Sequence, residues 1–164
     1  VLDHPRNLPD DLLRVIAAKG GVIQAVAYKE FLKHDPAREA AEEKLQKAVA
    51  KAAGDTKYDS DKHDYLPAMA AGMAKIQQQH PLPTLDDYLE QIRHMVQVAG
   101  MDHVGIASDF DGGGGITGWA DASETRNLTA AMRRHGFSDA DIAKLWGGNL
   151  LRVWGEVERD AAKH

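Results

Sequence analysis

Cysteine is absent from the 164 residues. That excludes disulfide staples, thiolate metal sites and cysteine nucleophiles, though it does not fix a compartment. No apolar run approaches the ~20 residues that a membrane-spanning helix needs. An excess of basic residues is also missing. Twenty Lys and Arg stand against 25 Asp and Glu, for a formal net charge of −5. This balance argues against a nucleic-acid binder, which requires a basic face. With 43% hydrophobic and 27% charged residues, collagen-like, low-complexity and wholly disordered classes are excluded as well.

What is present alternates between helical and strand-like patterns. Asn7-Leu8-Pro9-Asp10-Asp11 opens a helix with Leu12, Leu13, Val15 and Ile16 on its apolar face, and Gly20 closes it. Val22 to Tyr28 is a short, nearly continuous apolar run after Gly20-Gly21, the pattern of a buried parallel strand. Thr84 opens the clearest helix. Leu85, Tyr88, Leu89, Ile92, Met95, Val96 and Ala99 recur at helical spacing up to Gly100. His103 to Ser108 is a second buried-strand candidate, and a glycine-rich loop to Gly118 follows it. Helices are expected from Ser123 to about His135 and from Ser138 to Trp146. Gly147-Gly148 should interrupt before a last helix from Leu150.

Between the two strands lies a stretch of different character. Residues 35–80 read as a helical insert: a helix capped by Asp35-Pro36 and running to about Ala53, a polar loop, and a helix from about Tyr65 to Gln79. The apolar side chains of its first helix are mostly alanine, which predicts a thin buried stripe.

Strands alternating with helices indicate an α/β fold with a parallel sheet. Two strands alone cannot cover both faces of such a sheet, whereas a complete (β/α)8 barrel takes ~250 residues. We therefore expect the C-terminal portion of a (β/α)8 TIM-like barrel, as one partial domain over 1–164 carrying the 35–80 insert. The chain opens on Val1, and Asp3-His4-Pro5-Arg6-Asn7 already has the composition of a working loop, so an N-terminal part is expected ahead of it.

The strongest chemical signal is Asp109-Phe110-Asp111-Gly112 after the second strand. Barrel enzymes place catalytic groups at the C-terminal ends of their strands. The plainer alternative for Asp109 is a turn cap, because Asp and Gly dominate turns. Arg6 could clamp a carboxylate with its planar fork of donors, or be an ordinary surface arginine. The eight histidines are scattered and lack the i,i+4 pairing of a helical zinc site. Trp146 and Trp154 are expected to pack onto the barrel, and Trp119 to anchor its loop.

Taken together, Asp3-His4-Pro5-Arg6-Asn7-Leu8-Pro9-Asp10, Gly20-Gly21-Val22-Ile23, Ala99 to Gly112, and Gly148-Asn149-Leu150-Leu151-Arg152-Val153 resemble the C-terminal part of the membrane (renal) dipeptidase family. The order and spacing match over nearly the whole chain outside 35–80. The resemblance implies a barrel metallopeptidase that hydrolyses dipeptides with two zinc ions bridged by a glutamate. It places the arginine that holds the substrate carboxylate at Arg6. It places the aspartate that manages the proton of the attacking water at Asp109. The metal ligands it implies belong upstream of Val1, none of them in this chain, so the chain alone is expected to be inactive. A family tyrosine falls on Phe31, which leaves the substrate range open. Two alternatives remain: a family member that tailors a peptide natural product, and a non-catalytic helical binding module built on 35–80.

Overall fold

The computed structural model describes residues 2–163 and gathers them into two compact units, one comprising residues up to 33 together with those from 83 onward, the other His34–Leu82.

In the first unit, helix α1 (Asp10–Ala18) follows Pro9, with Asp10 and Asp11 at the positive end of its dipole. Strand β1 (Ile23–Val26) then pairs in parallel with β2 (Val104–Ala107), in the register Ile23↔Val104 through Val26↔Ala107. A short helix that the apolar pattern did not announce, α2 (Lys29–Leu32), turns the chain immediately after β1. Its four residues are too few to show a helical period.

Helix α5 (Leu85–Ala99) begins at a capping box. Thr84 accepts from the Asp87 amide while Asp87 accepts from the Thr84 amide. The expected stripe is the core of this unit: Tyr88, Leu89 and Ile92 are fully buried, with Leu85 and Met95 beside them. They pack with Leu13, Ala25, Ala27, Val104, Leu128 and Met132. The Tyr88 hydroxyl donates to the Ala25 carbonyl at 2.7 Å, joining α5 to β1.

Helices α6 (Thr125–Arg134) and α7 (Asp139–Ala143) follow, the latter capped by a second box of Ser138 and Asp141. The predicted interruption at Gly147-Gly148 takes the form of a kink, with Gly147 outside helical φ/ψ. A wide turn over Lys144–Gly148 carries α7 into α8 (Asn149–Ala161). The reason lies in Asn149, which is buried and donates to the carbonyls of Met101 and Val104. Arg152 adds bonds to the Gly20 and Asp102 carbonyls. These two side chains fasten α8 to the beginnings of both strands, which accounts for the Gly-Asn-Leu-Leu-Arg pattern without any chemistry.

Trp146 and Trp119 meet edge to face at 5.9 Å within this core. Trp154 does not pack as expected. It is 62% exposed, because its face of α8 meets no partner among the described residues.

The second unit is a hairpin of α3 (Pro36–Ala52) and α4 (Leu66–Gln79). Asp35 caps α3 by accepting from the Arg38 amide. The alanine stripe is indeed thin, and what supplements it is a polar hub that no local pattern announces. Arg38 is 6% exposed and bonds Glu42 at 2.7 Å, Gln77 at 3.0 Å and the His80 carbonyl. This hub of fixed donors ties the beginning of α3 to the end of α4. At the other end, Asp55 accepts from Lys62 and from the Tyr65 hydroxyl.

Candidate active site

Both β strands end on the same side, since they run parallel. The loop that leaves the C-terminal end of β2 carries one candidate, Asp109, and the loop ahead of α1 carries the other, Arg6. Beyond β2, Asp109 adopts φ 56°, ψ 35°, the sole non-glycine residue with positive φ among those described. Aspartate tolerates this left-handed conformation better than most residues, yet it still carries strain. Two contacts hold it there. Its carbonyl accepts from the amides of Gly112 at 3.0 Å and Gly114 at 2.7 Å. Glycine is required at 114, where a Cβ would collide with the Ser108 carbonyl, and a Cβ on Gly112 would displace the Asp109 carboxylate. The loop is therefore shaped around an exposed carboxylate at the strand end.

Arg6 lies in the loop ahead of α1, with its side chain exposed. Its guanidinium carbon stands 4.8 Å over the Phe31 ring. The Arg6 amide donates to His4 Nδ1 at 3.1 Å, and Asn7 Nδ2 donates to the carbonyls of Leu2 and Phe31. Arg6 lines a cleft of about 390 Å³ together with His4, Asn7, Gln24, Phe31 and His94. Asp109 does not line this cleft.

The link between Arg6 and Asp109 is Tyr28, a residue to which sequence reasoning assigned no role. It follows β1 directly. Its ring lies 4.7 Å from that of Phe31, and it also approaches Gly113, where a Cβ would come within 3.3 Å of Tyr28 Cε2. Burial first, and then the Glu30 carboxylate, push the Tyr28 phenol above its ordinary pKa. The Arg6 cation pulls it down and the Asp109 carboxylate pushes it up. Tyr28 thus lies in the fields of both candidate groups and stays a neutral hydrogen-bond donor. Its position directly after a barrel-type strand was the available signal.

His94 and His103 take the plainer roles, and His164 lies outside the described residues. His103 Nδ1 lies 2.7 Å from the Gly21 carbonyl, and His94 Nε2 lies 2.6 Å from Asp10. Among the described residues, no group of three or more His, Asp or Glu could hold a metal ion. No helix among them is long and apolar enough to cross a membrane.

The family model described as membrane dipeptidase (peptidase family M19) matches residues 1–164. The chain belongs to the membrane dipeptidase family. It is 29% identical over 158 residues to an uncharacterized dipeptidase of Schizosaccharomyces pombe, covering 95% of this chain and 28% of that protein. It is 38% identical over 80 residues to the dipeptidase tcpJ of Claviceps purpurea, covering 48% of this chain and 19% of that one. Among solved structures, the probable dipeptidase PvdM of Pseudomonas aeruginosa superposes with a TM-score of 0.70 at 37% identity, over 96% of this chain and 42% of that chain. A metallopeptidase of Rhodobacter sphaeroides, solved with a phosphinate mimic of the dipeptide L-Ala-D-Ala, shares the fold. Its TM-score is 0.56 at 24% identity, over 88% of this chain and 30% of its own. The chain thus spans well under half the length of these dipeptidases, and its two strands and flanking helices are a portion of a TIM-type barrel.

Proposed function

We propose that this chain forms part of the active site of a zinc-dependent dipeptidase that hydrolyses the amide bond of a dipeptide. The observation that carries this reading is the match of the dipeptidase family over the whole chain, with Asp109 just beyond the end of β2 and the Arg6 guanidinium seated over Phe31. The described residues do not fit a binuclear zinc site, because they bring no ligand cluster together. The zinc pair of this reading therefore rests on residues other than these, and no step is assigned to it. Residues 35–80 are read as an insert into one partial barrel domain.

This chain's own residues have two tasks. Arg6 presents a planar fork of donors, which suits the free C-terminal carboxylate of a dipeptide. Gripping that end favours short substrates, since it fixes the distance from the carboxylate to the scissile carbonyl. Asp109 takes the proton of the attacking water and passes it to the leaving amine. Water oxygen bonds to the carbonyl carbon, the C–N bond breaks, and the proton ends on the amine.

The test is a panel of dipeptides given to the full-length protein, with its metal content measured in parallel. Turnover of unblocked dipeptides with zinc bound is the expected result. A zinc-loaded protein that hydrolyses none of them, and acts only on a larger modified peptide, would replace this reading with that of a natural-product tailoring enzyme.

A further inference from the structure

Three residues of the Arg6 loop converge on Phe31. The Arg6 guanidinium lies 4.8 Å over its ring, the His4 ring tilts against it at 5.2 Å, and Asn7 donates to its carbonyl at 3.0 Å. Tyr28 supports the ring from a further direction at 4.7 Å. Phe31 itself sits on α2, the short helix fixed at the end of β1.

From this convergence we infer that Phe31 is the positioning residue of the site: its ring holds the Arg6 guanidinium flat, so that the edge donors stay aimed at a substrate carboxylate. The inference rests on the reading of Arg6 as the carboxylate clamp.

The physics favours a ring over an aliphatic side chain. A guanidinium binds a carboxylate with the N–H groups at its edge, while its faces are weakly hydrated and stack on aromatic rings. Stacking therefore uses the part of Arg6 that the substrate does not. An arginine in an exposed loop otherwise samples many rotamers, and the lost freedom must be repaid on binding. The ring restricts that freedom before substrate arrives. Phe31 has no hydroxyl, so it contributes position and no hydrogen bond of its own.

The test compares kcat/KM of the full-length protein for a dipeptide and for the same dipeptide blocked as its C-terminal carboxamide. A large preference for the free carboxylate in wild type is required by the Arg6 reading. If the two substrates are equal there, that reading falls and takes this inference with it. Where the preference exists, Phe31→Leu should reduce it about two- to fivefold, the scale of an exposed cation–π contact. The loss should appear in KM for the free dipeptide, with the carboxamide little affected. Phe31→Tyr and Phe31→Trp, which keep a π face, should restore the preference. Trifluorophenylalanine at position 31 keeps the shape but drains the ring of π density. It should give an intermediate loss, and it carries the test if Phe31→Leu does not fold. A preference unchanged by leucine or by fluorination, or an equal loss on both substrates, would overturn the inference.

Discussion

The charge on Arg6 and the conformation of Asp109 make separate demands, and substitutions can pull them apart. Arg6→Lys keeps the charge but not the fork, and an ammonium does not stack on Phe31 in the same way. A charge-assisted hydrogen bond of this type contributes on the order of 1.5–3 kcal/mol, so kcat/KM for an unblocked dipeptide should fall at least tenfold. Asp109→Asn keeps the shape and the tolerance for positive φ but removes the base. It should lower kcat by ~10²–10⁴-fold with zinc content unchanged. Asp109→Gly should lose the same activity while its melting temperature holds or rises, because glycine relieves the left-handed backbone at φ 56°. Asp111→Asn, one residue beyond Phe110 in the same turn, should leave kcat within a few-fold of wild type. Melting curves and kinetics on the four variants check this together. An Asp109→Asn enzyme with near-normal kcat and bound zinc would reduce Asp109 to a turn residue. The place of Asp109 at a strand end was legible because a strand pattern ran straight into it, and Arg6 entered as a candidate through its motif. Tyr28 and Phe31 were harder to assign, because an aromatic residue after a strand reads equally well as core.

Elements differ in how openly they advertise themselves. The α5 stripe and its Thr84 cap are periodic and local, and both emerged where the pattern placed them. The parallel pairing of β1 with β2 was legible from two short apolar runs separated by helices. The interruption at Gly147 was legible from its glycine pair, but the bonds that seat the helix after it were not. Asn149 satisfies carbonyls at Met101 and Val104, some 45 residues back in the chain, and no local pattern reports such a bond. The α3–α4 hairpin depends on polar bonds that make it sensitive to acid. Asp35 is held below the usual carboxylate range chiefly by the Arg38 amide, then by His80. Asp55 is held down by its bonds from Lys62 and Tyr65. A carboxyl with a depressed folded pKa stabilises fully above its unfolded value and loses that contribution as pH falls through the folded one. The hairpin amides should therefore lose protection relative to their intrinsic exchange rates below about pH 4, the ordinary aspartate range, while those of α5 change less. Asp35→Asn and Asp55→Asn should each flatten the dependence. An identical acid response in both variants would show that other groups control it.

At the scale of the whole molecule, the unburied surface is as informative as the core. The apolar side of α8 presents Leu151 at 70%, Trp154 at 62% and Val157 at 62% exposure, with Leu150 beside them. On α1, Leu12 and Val15 are likewise exposed, as is Leu8 just ahead of it. Beside these faces, each strand of the two-stranded sheet has one edge without a strand partner among the described residues. Monomeric soluble proteins rarely leave contiguous apolar patches and sheet edges of this kind uncovered. Each large apolar side chain buried there would gain roughly 1.5–3 kcal/mol. A sample of these 164 residues alone should therefore self-associate at micromolar concentration and bind a hydrophobic dye. Leu151→Lys with Trp154→Lys should weaken both effects without disturbing β1–β2 pairing, because neither side chain belongs to the core cluster. Sedimentation against concentration gives the measurement, with Trp154 emission as a local probe that shifts to the blue on association. A dilute, monomeric, dye-free chain with red-shifted Trp154 emission would mean that these faces carry no drive to be covered. Their apolar pattern would then be incidental to the fold rather than the imprint of a larger barrel packed against them.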